Sequence, residues 1–344
     1  MIYRSKAPLR IGLAGGGTDV SPYSDLYGGA ILNATVSLYA YANIEPTQDK
    51  KILLRAMDRH EEQELDCTKD LPIDGKLDLL KGVYNRIQQQ YGMPDTGFRL
   101  STFVDAPAGS GLGTSSTLVV AIVGAFAEML RLPLGEYDIA HLAYEIERDD
   151  LKMAGGKQDQ YAATFGGVNY MEFYGDNVVV NPLRIKQQYL FELENNLVLY
   201  YTATSRESAK IIEKQSQNVV SKKEKPIDAM HQLKRQAQLM KEALLKGRLH
   251  EIGEILDFGF QQKKQMAEGI SNTLMDEIYE AAKKAGATGG KISGAGGGGF
   301  MTFYCPANSK YAVIEKLKEF GGFVKNYQFV DHGLTTWTIE TLKK

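Results

Sequence analysis

Residues 107–116 read Pro-Ala-Gly-Ser-Gly-Leu-Gly-Thr-Ser-Ser and run directly into residues 117–130, which are apolar on nearly every side. Closely spaced glycines let backbone N–H groups approach a ligand without interference from Cβ, and they form anion-binding nests. A helix N-terminus adds unpaired donors and partial positive charge. The stretch therefore predicts a phosphate-binding loop that opens a buried helix. An N-capped tight turn is the alternative, although such a turn needs fewer glycines.

Two further glycine-rich segments stand near the ends of the chain. Residues 291–299, Lys-Ile-Ser-Gly-Ala-Gly-Gly-Gly-Gly, contain the spacing G-x-G-x-x-G. A dinucleotide fingerprint should open a helix, whereas the strand-like residues 300–305 follow here, so we expect a backbone surface against nucleotide or substrate instead. Residues 14–19, Ala-Gly-Gly-Gly-Thr-Asp, place small residues beside a carboxylate. Alone, this segment could equally be a glycine-rich turn.

Composition excludes several classes of function. The chain has 344 residues, 43% of them apolar and 24% charged, with a formal net charge of −2. This composition lacks the excess of positive charge that is typical of proteins that bind nucleic acid or an anionic membrane. No apolar run approaches the roughly 18 residues of a membrane span, and the first residues lack the apolar core of a signal peptide. The distant Cys67 and Cys305 match no metal-ligand spacing, so we expect a reduced, cytoplasmic protein.

Strand and helix patterns recur in both halves of the chain. Strands are expected at residues 10–14, 30–46, 98–104, 196–202 and 300–305, with one or two more within 329–338. Helices are expected at residues 117–130 and 134–152, and as broken amphipathic segments across 226–285. This mixture indicates an α/β or α+β architecture. The length suits two domains, which we assign to residues 1–190 and 191–344.

The familiar nucleotide-binding kinase motifs are missing. The sequence G-x-x-x-x-G-K-[ST] does not occur, since Gly290 and Lys291 precede an isoleucine where the metal-binding hydroxyl should stand. The protein-kinase signature set is missing as well. A kinase with this sequence must belong to another class that holds phosphate on a glycine-rich backbone.

The three glycine segments, in this order and at these separations, resemble the GHMP kinase superfamily of galactokinase, homoserine, mevalonate and phosphomevalonate kinases. Residues 7–19 resemble its N-terminal substrate motif, residues 107–116 its phosphate loop and residues 291–299 its C-terminal glycine motif. The resemblance implies an α+β fold: an N-terminal α/β domain with a left-handed βαβ unit and a C-terminal ferredoxin-like domain. It also implies ATP as co-substrate, Mg²⁺, and an active site between the domains.

The resemblance assigns roles to individual residues. Asp159 is the candidate catalytic base and Arg10 the residue that stabilises the reacting centre, whereas Glu147 and Ser115 are the candidate Mg²⁺ ligands. Glu145 lies two residues from Glu147, and an error in register would confuse them. Without the resemblance, Asp159 could be a helix cap, Glu147 a solvated helix residue and Arg10 part of a structural ion pair. Phosphoryl transfer depends on positioning and charge neutralisation, which these residues would supply.

The resemblance also predicts the residues that bind each ligand. The predicted substrate-binding residues are Arg10, Gly16, Gly17, Thr18, Asp19 and Lys157. The predicted nucleotide-binding residues are Pro107, Gly109, Ser110, Gly111, Leu112, Gly113, Thr114, Ser115 and Ser116. The predicted residues of the glycine motif are Ser293, Gly294, Ala295, Gly296, Gly297 and Gly298. Galactokinases carry Glu-His where this chain has Gly16-Gly17, which disfavours galactose as the acceptor.

Within the superfamily, residues 13–23 and 155–161 resemble the D-glycero-D-manno-heptose 7-phosphate kinases and their fucokinase-like relatives. This resemblance implies phosphorylation of an anomeric hydroxyl on a sugar phosphate. Arg4, Lys6 and Lys157 flank the substrate motifs and are candidates for binding the remote phosphate of such a substrate. Two other hypotheses stay open: a non-catalytic relative that senses sugar and nucleotide, and an NAD-dependent oxidoreductase.

Overall fold

The computed structural model describes residues 1–94, 96–204 and 208–340. Its strands are β1 (Ile2–Ala14), β2 (Gly29–Pro46), β3 (Lys51–Ala56), β4 (Glu61–Asp66), β5 (Phe98–Val104), β6 (Val168–Phe173), β7 (Val178–Pro182), β8 (Leu197–Tyr201), β9 (Gly289–Ile292), β10 (Phe300–Tyr304), β11 (Phe323–Val324) and β12 (Thr335–Ile339). Its helices are α1 (Tyr23–Tyr27), α2 (Asp78–Tyr91), α3 (Thr114–Leu130), α4 (Glu136–Glu145), α5 (Gln158–Phe165), α6 (Gln187–Asn196), α7 (Ser208–Val220), α8 (Glu224–Lys246), α9 (Ile252–Met266), α10 (Thr273–Lys284) and α11 (Lys310–Leu317).

Among the described residues, the first sheet has eight strands: β12-β1-β2-β5-β3-β4 follow in order, β6 pairs with β2, and β7 pairs with β6. The long strand β2 pairs with β6 along its first half and with β5 along its second half. Strands β3 and β5 are parallel, with β4 and α2 between them in the chain. The apolar helix α3 packs on β1 and β2. The loop before α3 lies beside β1, because the N–H of Arg10 donates to the carbonyl of Leu112 at 3.2 Å.

In the part of the chain that the structure describes, the second sheet has four strands in the order β11-β8-β10-β9, and every pairing is antiparallel. Counted along the chain, this order is fourth, first, third, second, which is the ferredoxin-like arrangement. The final strand β12 leaves this region and pairs with β1, from Ile2 opposite Ile339 to Lys6 opposite Thr335. The first sheet holds β1–β7 and β12, and the second holds β8–β11, while the predicted division after residue 190 falls within α6 and stays a prediction. The α+β fold of two parts is confirmed.

One predicted helix has an irregular end. The sequence predicts a helix across 134–152, whereas α4 ends at Glu145 and is followed by a π-helical turn, Ile146–Asp150. The wider turn is closed by the N–H of Leu151, which donates to the carbonyl of Ile146 at 3.0 Å. Such turns inside helices frequently occur at functional sites. Here the turn carries Glu147.

Within the described ranges, none of the helices combines the length and the apolar character needed to cross a membrane.

Helix α3 supplies the centre of the larger hydrophobic core. Phe126 is fully buried and packs edge-on against Phe98 of β5, with ring centroids 5.5 Å apart and an interplanar angle of 90°. Truncation of such a ring removes its burial free energy and leaves a cavity.

We predict that Phe126→Ala lowers the free energy of unfolding by about 3–5 kcal/mol. The matched control is Phe103→Ala on β5, because Phe103 is 44% exposed. The control should lose less than about 1 kcal/mol. Urea denaturation followed by far-UV circular dichroism measures both, and equal losses would contradict the assignment of the core.

Candidate active site

A cavity of about 550 Å³ lies between the two sheets. Its walls come from both parts of the chain and include Arg10, Gly16, Gly113, Asp159, Lys263 and Lys291. The predicted residues that line the cavity are Arg10, Gly16, Gly17, Asp19, Gly109, Gly111, Gly113, Thr114, Ser115, Ser116, Asp159, Gly294 and Ala295. The three glycine segments therefore meet at one cleft.

The phosphate loop and the C-terminal glycine motif lie in direct contact. Gly109, Gly111 and Gly113 all have positive φ, at 71°, 82° and 81°. A Cβ added at Gly111 would lie 2.8 Å from the carbonyl of Ser293. The N–H of Phe300 donates to the carbonyl of Ser110 at 2.9 Å. Only glycine allows this approach, so the loop that opens α3 is supported by the opposite sheet.

Arg10 links strand β1, the phosphate loop and α5. Its Nε donates to Oδ1 of Asp159 at 2.7 Å, and its Nη1 donates to the carbonyl of Gly111 at 2.5 Å. The Arg10 side chain is 4% exposed, whereas Asp159 is 24% exposed and faces the cavity. Oδ2 of Asp159 also lies 3.2 Å from the Cβ position of Gly113. A carboxylate and a guanidinium thus stand at the mouth of the phosphate loop.

Glu147 lies fully buried beneath the start of α3. Its Oε1 accepts a hydrogen bond from Ser115 Oγ at 3.0 Å, and its Oε2 accepts one from Gln160 Nε2 at 2.5 Å. Glu145 points elsewhere, since its carboxylate pairs with Arg86 at 3.0 Å. A carboxylate paired with a hydroxyl at a phosphate-binding helix end offers oxygen donors of the kind that Mg²⁺ accepts.

The described ranges contain no cluster of three or more His, Cys, Asp or Glu that could hold a metal by itself. Mg²⁺ does not need such a cluster, because it commonly takes one or two carboxylates and completes its shell with phosphate oxygens and water. The Ser115–Glu147 pair therefore fits a metal that arrives with a nucleotide.

Asp19 lines the cavity beside the glycine turn that contains Gly16 and Gly17. It is 5% exposed, and its Oδ2 accepts a hydrogen bond from the backbone N–H of Gln158 at 3.0 Å. Burial raises the pKa of Asp19, and the nearby Asp159 raises it further. A Cβ at Gly156 would lie 1.9 Å from the Asp19 carboxylate, so glycine is required there to leave room.

Two predicted substrate residues do not reach the cavity. The hydroxyl of Thr18 is buried and donates to the carbonyls of Gly15 and Ala30 at 2.9 Å and 3.0 Å, so it fixes the backbone of the glycine turn. The ammonium of Lys157 is held by Asp25 at 3.2 Å and by the carbonyl of Tyr174 at 2.9 Å.

The other predicted phosphate ligands, Arg4 and Lys6, also lie outside the cavity wall. Lys6 stands over the ring of Tyr39, 4.7 Å from its centroid. Pro107, Ser110, Leu112, Ser293, Gly296, Gly297 and Gly298 likewise do not line the cavity. Leu112 belongs to the hydrophobic core, which anchors the phosphate loop from below.

Two lysines that the sequence did not single out as site residues line the cavity. Lys263 lies on α9 and Lys291 on β9, and they are 4% and 6% exposed. Burial lowers the pKa of Lys263 to about 8 and that of Lys291 well below its usual value, with the charge of Arg10 contributing to both. Lys263 follows the amphipathic pattern of its helix, and no sequence signal separates it from solvated lysines.

A glycine-rich helix start, an aspartate held by an arginine and a cleft between two sheets define a small-molecule kinase outside the P-loop class. Residues 78–167 match the model of the GHMP kinases N terminal domain, and residues 240–322 match the GHMP kinases C terminal model. The chain belongs to the GHMP kinase family, and as a kinase it uses ATP as co-substrate.

The similarity to known kinases covers nearly the full length of the chain. It is 48% identical over 337 residues to the D-glycero-alpha-D-manno-heptose 7-phosphate kinase of Campylobacter jejuni, covering 98% of this chain and 99% of that one. A crystal structure of a D-glycero-D-manno-heptose 1-phosphate kinase from Bacteroides thetaiotaomicron matches with a TM-score of 0.84 and 47% identity, over 98% and 100% of the chains. The L-fucokinase/L-fucose-1-P guanylyltransferase of Bacteroides fragilis is 27% identical over 90% of this chain and 35% of its own length.

We predict that Gly111→Ala lowers kcat/KM for ATP by about 100-fold, because the added Cβ forces the phosphate loop away from Ser293. The matched control is Gly75→Ala, where φ is +90° and nothing lies within 4 Å of the added carbon. That control carries only the cost of left-handed backbone, about 1 kcal/mol in stability. Steady-state kinetics and thermal melting separate the two effects, and an unchanged kcat/KM for Gly111→Ala would contradict the loop contact.

Proposed function

We propose that the chain phosphorylates the anomeric hydroxyl of D-glycero-D-manno-heptose 7-phosphate, using ATP, to give the 1,7-bisphosphate. The observation that carries this proposal is the Arg10–Asp159 pair at the mouth of the phosphate loop. The near full-length relatives named for manno-heptose kinases support the choice of sugar. We further propose a cytoplasmic enzyme, in keeping with the free thiols Cys67 and Cys305.

The nucleotide is proposed to lie along the phosphate loop. Its phosphates would accept hydrogen bonds from backbone N–H groups between Gly109 and Ser116 and benefit from the N-terminus of α3. Apolar side chains line the cavity beyond the loop, among them Leu79, Val104 and Ala106. An adenine ring placed there would be buried against apolar surface.

Mg²⁺ is proposed to bind the nucleotide phosphates next to Ser115 and Glu147. The metal would neutralise charge on the phosphates during transfer. Glu147 is buried, and its carboxylate is held by donors from Ser115 and Gln160. Such support fixes its orientation before the nucleotide arrives.

Asp159 is proposed to orient the acceptor hydroxyl and to take its proton as the phosphoryl group is transferred. Arg10 would hold Asp159 in place and offset negative charge between the acceptor oxygen and the phosphate. Because both contacts of Arg10 are made through one planar guanidinium, the carboxylate and the loop are fixed relative to each other.

The acceptor sugar is proposed to lie against Gly16, Gly17 and Asp19. The two glycines leave space for a ring, and Asp19 supplies a carboxylate that accepts hydrogen bonds from sugar hydroxyls. A fucokinase-like sugar 1-kinase is the second candidate, favoured by the relative from Bacteroides fragilis. A kinase assay with heptose 7-phosphate, free heptose and fucose decides between them. A sensor without catalysis would release no ADP with any sugar.

We predict that Asp159→Asn folds normally and lowers kcat by about 10²–10⁴-fold, the usual contribution of an acid–base group. ADP release in a coupled assay measures this change. Asp176→Asn, an exposed carboxylate in the turn between β6 and β7, is the control and should keep wild-type turnover. An Asp159→Asn enzyme with more than about half of the wild-type kcat would contradict the assignment.

We predict that Ser115→Ala and Glu147→Gln raise the Mg²⁺ concentration needed for half-maximal activity, because each removes an oxygen donor from the proposed site. Glu145→Gln should leave the midpoint unchanged, since Glu145 pairs with Arg86 instead. A Mg²⁺ titration at saturating ATP measures all three. Wild-type midpoints for both Ser115→Ala and Glu147→Gln would exclude the proposed ligands.

A further inference from the structure

Two lysine ammonium groups converge on one point of the acceptor pocket. A Cβ added at Gly16 would lie 3.8 Å from Nζ of Lys263 and 3.8 Å from Nζ of Lys291. Any side chain at residue 16 would therefore enter the space between the two ammonium groups. Glycine leaves that space to a ligand.

Both ammonium groups are held by backbone carbonyls alone among the described hydrogen bonds. Nζ of Lys291 donates to the carbonyl of Gly12 at 2.5 Å, and Nζ of Lys263 donates to the carbonyl of Gly294. An ammonium group has three donors, so each lysine keeps two more for a ligand. Burial lowers the pKa of each lysine, and the positive charge of Arg10 lowers both further, while the negative charges of Asp19 and Asp159 act in the opposite direction on Lys263.

The surrounding groups also suit a polar ligand. Within the described residues, Oε1 of Gln158 is buried and has no hydrogen-bond partner. Gln158 lines the cavity, and its Oε1 lies 3.5 Å from the Cβ position of Gly12, close to Lys291. Buried polar groups normally find a partner, so this oxygen indicates a ligand that brings a hydroxyl group.

We propose that Lys263 and Lys291 form the subsite for the second phosphate of the acceptor, the one that is not transferred. The inference rests on the proposed function and names the residues that would distinguish a sugar phosphate from a neutral sugar. Two ammonium groups around one point match the oxygens of a phosphate dianion. The nucleotide has its own donors in the loop at 109–116, whereas the lysines adjoin Gly12 and Gly16 of the substrate segment.

The test compares a sugar phosphate with its neutral counterpart. In Lys263→Met, which nearly keeps the length of the side chain, KM for D-glycero-D-manno-heptose 7-phosphate should rise by about tenfold or more, the loss expected for a hydrogen bond to a charged group. The KM for ATP and the dissociation constant of unphosphorylated heptose should stay within about twofold. Lys291→Met should behave in the same way.

Lys264→Met is the matched control. Lys264 is the next residue on α9, its side chain is 33% exposed, and it pairs with Asp276 at 3.5 Å outside the cavity. It should leave the KM for the sugar phosphate unchanged. Lysine variants that weaken the binding of both sugars equally would overturn the subsite, since the ammonium groups would then act on the fold. Variants that lower kcat without raising KM for the sugar phosphate would also overturn it, since the ammonium groups would then act on the transferred group.

A second variant tests the same space without removing a lysine. Gly16→Asp would place its Cβ 3.8 Å from each ammonium nitrogen and add a carboxylate to the space between them, so it should abolish the preference for the phosphorylated sugar, whereas Gly16→Ala reports the steric effect alone. Retention of that preference by Gly16→Asp would contradict the proposal.

Calorimetric binding of the two sugars in the presence of a non-hydrolysable ATP analogue separates this proposal from the proposed function. A wild-type enzyme that transfers no phosphate to any sugar refutes the kinase assignment, while weaker binding of the sugar phosphate by the lysine variants still supports the subsite. Equal affinity of wild type for heptose 7-phosphate and free heptose refutes the subsite, even when both are phosphorylated.

Discussion

The contacts of the Arg10 guanidinium hold the active site together. One planar group joins the carboxylate of Asp159 to the carbonyl of Gly111, and these partners lie 149 and 101 residues away in the chain. The strand β1, the loop before α3 and the start of α5 must all be placed correctly for both contacts to form. The first sheet and the packing of α3 on β1 and β2 provide that placement. The second sheet then closes the other side of the cleft.

The parts of this arrangement that depend on local chemistry could be predicted from the sequence. Strand β5 coincides with the predicted residues 98–104, and α3 begins within the predicted loop at Thr114, because glycines and hydroxyl residues mark a helix start. Thr18 and Lys157 show the limit, since sequence cannot tell a polar group that faces a ligand from one that satisfies a backbone carbonyl. Lys263 is the opposite case: it lines the cavity, but the sequence does not predict this because its burial depends on packing between distant segments.

The cleft concentrates charge at a cost in stability. Arg10, Lys263, Lys291, Asp19 and Asp159 all line the same cavity, and burial opposes ionisation of Asp19 and both lysines. Groups placed in this way destabilise the empty protein and stabilise a bound anion. The buried core of α3 and the ferredoxin-like sheet offset that cost, so the site can hold its charges in place before any ligand arrives.

The return of β12 to the first sheet means that the polypeptide crosses between the two sheets twice, once through α6 and once between β11 and β12. The two parts are also packed together, because residues of α8 and α9 belong to the same hydrophobic cluster as residues of β1 and β2. Chain connection and shared packing therefore both tie the two walls of the cleft, and neither wall can be displaced without disturbing the packing of the other.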